Sequence, residues 1–182
     1  MTYPSPTDLV HPSCPNFRWY EVWRSQLATR YGFDNTSKSE RVILGAKNLV
    51  LHVAQPLRDH FGGYSPQSWY RGERLEKILC KTAYAKWCRK KRLRQSPASW
   101  SQYFALKSHP TGGAFDIEIP GVPNDELFRY IRDNLEYDQL IREYPVVGDP
   151  RSGWVHVSFA EGANRNQDFA LTSKGIIYDY LR

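Results

Sequence analysis

A chain of 182 residues, 41 % hydrophobic and 24 % charged, has the length and balance of one globular domain with a buried core. Its net charge of +6 favours polyanionic partners (nucleic acid, acidic lipid or anionic cell wall) without choosing among them. Three cysteines, Cys14, Cys80 and Cys88, with no C-x-x-C pair, indicate neither a disulfide framework nor a cysteine zinc site; Cys80 and Cys88 could pair if geometry allowed, with reduced thiols the first reading.

Residues 1–15 are rich in Pro, Ser and Thr and lack the basic segment and apolar run of a signal peptide. Residues 1–16 are therefore predicted as an extended, weakly ordered arm, and residues 17–182 as a single domain made in the cytoplasm. No stretch reaches membrane-spanning length. Residues 17–31 place Trp19, Val22, Trp23 and Leu27 at helical intervals, the pattern of a short helix or turn packed by aromatics. Aromatic residues can line sugar or peptide grooves, but filling the core is their first reading. Ser37 and Glu40 have capping-box spacing. Residues 41–57 form the clearest helix, with Val42, Ile43, Ala46, Leu49, Val50, Val53 and Ala54 in one apolar stripe; Pro56 and the pair Gly62-Gly63 mark its end. His52 and His60 have no ligand-like neighbours and are set aside as structural or solvent-facing.

Residues 64–71 read as a short strand entering a loop. Residues 73–94 are helical and basic, ending in Arg89-Lys90-Lys91-Arg92-Leu93-Arg94, a stretch that suits either a solvated face or an anion-binding one. Residues 97–107 read as a loop. The alternation Ala-Phe-Asp-Ile-Glu-Ile at 114–119 is that of a strand, broken by residues 120–123. Asn124 or Asp125 caps a helix that runs to about Asn134. Strands are expected at 139–143 and 154–159, separated by a Pro/Gly-rich turn, and an apolar strand-like run at 175–181. Helices followed by strands imply an α+β fold with a small, mainly antiparallel sheet flanked by helices.

Three residues stand out as chemistry. His109 and Asp116 lie seven positions apart across Gly112-Gly113, which permit a tight turn before the strand. His156 sits within Trp-Val-His-Val-Ser-Phe, where alternation turns it away from Val155 and Val157. Two imidazoles and a carboxylate meet the need of a catalytic zinc for three protein ligands and one open position.

His109, Gly112, Ala114 and Asp116 match the H-x-x-G-x-A-x-D core of the signature S-x-H-x-x-G-x-A-x-D, although Ser108 directly precedes the histidine. The segment 153–158 resembles a W-V-H-V-S strand, Ser68-Trp69-Tyr70-Arg71 an S-x-Y-R element, and residues 17–35, with Arg24-Ser25-Gln26 and Asp34-Asn35, an N-terminal lead. In these motifs the chain resembles the zinc D-alanyl-D-alanine carboxypeptidases and their relatives. That family includes phage L-alanyl-D-glutamate endopeptidases, whose subgroup the lead resembles, and the Hedgehog-type domain. The resemblance spans most of residues 17–159. It implies a Hedgehog/DD-peptidase-like fold, a zinc ion held by His109, Asp116 and His156, and hydrolysis of peptidoglycan peptides by a lysin or a virion-carried enzyme. Arg71 is then expected to stabilise the oxyanion. The acid that many relatives carry three residues before the last histidine is replaced here by Gly153. The D-Q-L-I run that precedes an acid in the phage-type subgroup is matched by residues 138–141, which points to Glu143 as general base, with Asp149 in reserve. Residues 72–107 form a longer and more basic connection than relatives have, an added wall-binding or partner-binding feature. Nucleic-acid binding through Arg89 to Arg94 rests on charge alone. A non-catalytic virion module that keeps the fold and the metal site is the alternative function.

Overall fold

A computed structural model of the chain describes residues 3–181. It opens on a hairpin of β1 (Leu9–His11) and β2 (Cys14–Arg18). Val10, Cys14 and Phe17 of this hairpin are fully buried in the main core. The expected loose arm is therefore corrected over these residues: three inward side chains suffice to seat the hairpin, too few to show as alternation. Met1 and Thr2, also assigned to that arm, lie outside the described residues. Two short helices follow, α1 (Trp19–Trp23) and α2 (Gln26–Arg30), the latter capped by the Ser25 hydroxyl accepting from the Ala28 N–H.

The next helix begins as α3 (Glu40–Leu49), passes through a π-helical turn (Val50–Ala54) and continues as α4 (Gln55–Phe61). It runs through Pro56, beyond the expected limit at residue 57, and stops at Phe61, directly before the Gly62-Gly63 pair that was also expected to mark its end. In the wider turn the Gln55 N–H reaches back to the Val50 carbonyl five residues earlier, which opens room for a proline ring that a regular turn would exclude. The helix starts from Ser39, with no side-chain cap, so Ser37 and Glu40 do not form the expected box.

Residues 73–107 fold into three helices, α5 (Glu73–Leu79), α6 (Lys81–Lys91) and α7 (Pro97–Phe104). The last was expected as a loop. Its start is chemically explicit: Ser96 accepts from the Ser99 N–H, and Pro97 occupies the first turn, where it needs no donor. Tyr84, Cys88, Trp100 and Tyr103 form a small core of their own, apart from the main one. All three cysteines are free.

A five-stranded sheet completes the fold in the order β3 (Ala114–Ile117), β5 (Trp154–Ser158), β4 (Gln139–Glu143), β6 (Gln167–Thr172), β7 (Gly175–Tyr178). Every neighbouring pair is antiparallel except β4 and β6. Between β3 and β4 lies α8 (Asn124–Asn134), whose Leu127, Phe128 and Ile131 are fully buried. The sheet turns Phe115, Ile117, Leu140, Val155 and Val157 to the main core. Alternation sends Asp116, His156 and Glu143 to the opposite face. The architecture is α+β with mainly antiparallel sheets. Among the described residues no helix is long and apolar enough to cross a membrane.

Candidate metal centre

Asp116 and His156 are direct partners across the β3–β5 ladder, so their side chains rise from adjacent strands on one face. His109 arrives from a single 3-10 turn (His109–Thr111) just before β3, closed by Gly112 at φ +75°. That turn is wedged against α3: a Cβ on Gly112 would lie 2.4 Å from the Val42 carbonyl oxygen. The Trp69 indole N–H donates to the Gly112 carbonyl at 2.7 Å, tying the turn to the chain before α5. Asp116 is fixed by its backbone as well, its N–H donating to the Ser68 carbonyl at 2.8 Å.

The three predicted ligands converge. One ligand atom from each of His109, Asp116 and His156 lies within 4.8 Å of the others, and all three residues are buried. His109 Nε2 is 3.3 Å from Asp116 Oδ1, and His156 Nδ1 is 2.9 Å from the same oxygen. His156 Nε2 faces the Ser108 hydroxyl at 3.4 Å.

The hydrogen bonding of His109 tests whether a cation fits. Its Nδ1 is 2.7 Å from the Trp69 carbonyl oxygen, which can only accept, so Nδ1 carries the proton. In a neutral ring Nε2 is then a lone pair directed at a carboxylate oxygen. Two acceptors in contact need a positive charge between them, a proton or a metal ion. Burial pushes the His109 pKa down despite the pull of Asp116, which disfavours the proton. At Asp116, burial works to raise the pKa, but the His109 and His156 imidazoles outweigh it and hold the carboxyl well below its usual range. Metal binding requires neutral imidazoles beside an ionised carboxylate, the metal ion then supplying the positive charge that protonated His109 and His156 would otherwise give Asp116. The donor set therefore fits a metal ion, with His109 oriented by a backbone carbonyl as metal-binding histidines commonly are.

Arg71 engages the other oxygen of Asp116 through Nη2, while its Nε donates to the Ser68 hydroxyl at 2.8 Å. Behind it stands Glu76 of α5, fully buried and 4.0 Å from Arg71 Nη1. The Cys80 thiol donates to Glu76 at 2.9 Å; its pKa is raised by burial and by that carboxylate. Glu76 had no signal in the sequence, because its role depends on how α5 is placed. A groove of about 470 Å³ runs between α2 and α5, lined by Ser25, Gln26, Leu75 and Leu79 among others, and reaches Arg71 and Ser68. A larger hollow of about 650 Å³, between the N-terminal hairpin and α3, lies apart from these residues.

Glu143 pairs with Trp154 across the β4–β5 ladder, as Ile141 pairs with His156. It therefore stands one step along the sheet face from His156. Burial raises its pKa, and the Asp116 charge adds to the effect, against the lowering pull of His156, Arg71 and Lys107. Asp149 lies elsewhere, exposed in the β4–β5 hairpin turn, where its carboxylate accepts from the Arg151 N–H. Asp138, first of the D-Q-L-I run, is held by Arg165 through Nε and Nη2, both at 2.6 Å, and anchors the start of β4. His52 stacks on Phe159 and His60 on Tyr130, so both are packing residues.

Fold and site together define an α+β protein with a buried His-Asp-His group that can hold a metal ion. Comparison of the chain with protein-family models, with curated proteins and with solved structures finds no match.

Proposed function

We propose that the chain is a zinc-dependent peptidase that hydrolyses peptidoglycan stem or cross-link peptides. The observation that carries this reading is the acceptor-to-acceptor contact of His109 Nε2 and Asp116 Oδ1 beside His156 Nδ1, with Glu143 next along the same face. Two imidazoles and a carboxylate without thiolate are the donor set of a catalytic zinc site. Zinc held there would supply a Lewis acid and lower the pKa of water.

The chain's own residues account for the proton movements. Glu143 takes a proton from the water that attacks the scissile carbonyl and returns it to the leaving amine as the C–N bond breaks. A carboxyl raised by burial suits both halves of that task, because its pKa moves toward the working pH. Arg71 orients Asp116 and donates toward the substrate carbonyl oxygen or a substrate carboxylate. The groove that Arg71 and Ser68 help to line is the place this reading gives to the peptide. Peptidoglycan as substrate, and a lysin or virion-borne setting, are drawn from the motif resemblance.

Elemental analysis of the purified protein tests the reading. Roughly one zinc ion per chain is expected, with near-complete loss in His109→Ala and His156→Ala, together with release of new amino groups from purified peptidoglycan by the unmutated protein alone. Wild-type zinc in both variants would sink the ligand assignment.

One feature favours a second reading, a structural or binding module such as a virion component. Arg71, His109 and His156 all contact Asp116, so the cluster can also close as a buried polar network around a protonated histidine. That reading predicts metal-free protein whose melting temperature ignores chelators.

A further inference from the structure

The three-helix unit accounts for all of the chain's net positive charge. Residues 72–107 hold ten Lys and Arg against two Glu, a net of +8, whereas the remaining residues hold fifteen cations and seventeen acids, a net of −2. Lys86, Arg89, Lys90, Lys91, Arg92 and Arg94 are all exposed. Among the described residues none of the six forms an ion pair. Ordinary surfaces intersperse the two signs; here eight net charges are gathered on one unit.

The support beneath them is rigid. On its inner face α6 buries Tyr84 and Cys88 against Trp100 and Tyr103 of α7, and the Tyr84 hydroxyl contacts the Ser99 hydroxyl at 2.6 Å. Arg89, Lys90 and Lys91 occupy the last turn of α6, where the helix dipole favours cations and offsets some of their mutual repulsion. Four of the cations are thus carried on the second half of α6, over about 8 Å of helix, and Arg92 and Arg94 follow directly after its end.

We infer that this face docks an anionic cell-wall polymer, a glycan or polyol chain bearing phosphodiesters or carboxylates; the choice of a wall polymer rests on the peptidase reading above. Charge complementarity selects a polyanion. The apolar face of α6 is spent on its own core, so no amphipathic face is left to enter a bilayer. Trp87, the aromatic of this helix nearest the cations in sequence, is half-buried against Tyr84 and Tyr103, which leaves little of it to stack on unpaired bases. A flexible polymer read through its charge alone fits what is left. Tethering by this unit would keep the peptidase concentrated at the wall between cuts.

The test is binding of poly(glycerol phosphate) to the full chain, with duplex DNA and phosphatidylglycerol vesicles as competitors, in the variant Arg89→Gln/Lys90→Gln/Lys91→Gln/Arg94→Gln. Arg92 is left in place because its φ of +56° makes substitution there a backbone question. Wild-type protein should bind the polymer at low salt, ahead of DNA and vesicles, with affinity falling as salt rises. The variant should lose about tenfold or more and show a flatter salt dependence. A second variant, Arg89→Lys/Arg94→Lys, should retain binding, and unchanged circular dichroism controls for folding. No polymer binding at low salt, equal binding by the neutralised variant, or preference for DNA or vesicles overturns the inference. Turnover of a short soluble stem peptide is measured on the same preparations. Turnover absent with polymer bound refutes the peptidase reading; normal turnover with polymer unbound refutes the docking surface.

Discussion

Gly45 on α3 is the residue whose replacement most directly tests how His109 is positioned. A Cβ at Gly45 would lie 2.2 Å from the Thr111 carbonyl oxygen and 3.0 Å from the Gly113 nitrogen. Carbon–oxygen contacts ordinarily begin at about 3.3 Å, so Gly45→Ala must push the helix and turn backbones apart by roughly 1 Å. The helix cannot yield, because Val42, Ala46 and Leu49 fix it in the main core. The short turn yields instead, and carries His109 with it. Overpacking of this kind costs about 1–3 kcal/mol, or about 2–12 °C of melting temperature for a chain of this size. Displacing a ligand by that distance should weaken zinc binding about tenfold or more and peptide turnover about a hundredfold. Calorimetry with and without zinc, plus a competition titration for the metal, measures both effects. Gly63→Ala is the control: its Cβ would meet only Arg58 Nη1, at 3.9 Å, and should change stability by no more than about 0.5 kcal/mol. If Gly45→Ala melts with the control and holds zinc like the wild type, the contact does not set the turn and the reasoning fails.

Glu143→Gln should keep fold and zinc but lower peptide cleavage by about two orders of magnitude or more, whereas Asp149→Asn, in an exposed turn, should be mild; the reverse order would make Asp149 the base. Because Glu143 must be ionised to accept a proton and its pKa is raised, kcat/KM should rise with pH through a value above that of an ordinary glutamate, and an acid limb at or below the ordinary value would contradict the assignment. Glu76→Gln should leave zinc in place yet lower kcat/KM by about tenfold, since Arg71 loses its buried partner. A double-mutant cycle with Arg71→Lys should be clearly non-additive, and simple additivity would show that Glu76 does not act through Arg71.

The three residues of the candidate metal centre were legible in the sequence through their motif resemblance and because their geometry is local. A histidine, a glycine turn and an alternating strand fix His109 and Asp116 within eight residues, and alternation in β5 fixes the facing of His156. The elements that were missed owe their form to distant regions of the chain. Of the N-terminal hairpin only Val10, Cys14 and Phe17 face the core. The run Gln-Asp-Phe-Ala-Leu-Thr of β6 alternates poorly, and forms a strand because β4 offers it a parallel edge. For α7 the signal existed, Ser96-Pro97 at a helix start, but its polar and aromatic content obscured it. The site residues that spacing could not show are those acting across the fold: the Trp69 carbonyl on His109, Gly45 beneath the turn, and Glu76 behind Arg71.

The absence of an acid at Gly153 has a physical reason in the sheet. Gly153 has φ +62°, and a Cβ there would lie 1.9 Å from the Glu143 carbonyl oxygen and 2.8 Å from that of Tyr144. Any side chain at 153 would force the β4–β5 hairpin apart, so the position three before His156 is closed to a base in this chain. The backbone that closes it belongs to Glu143 itself. With Glu143 opposite Trp154 and Ile141 opposite His156, a side chain at 143 leaves the same sheet face as Asp116 and His156. On the proposed peptidase reading, a base on the hairpin partner of the His156 strand, in place of one at 153, needs no change in fold. It needs a glycine at 153 tight enough to admit the carbonyl of 143, and an acid at 143 on the face that the ladder register selects. Both conditions are met here, and each is meaningful only with the other.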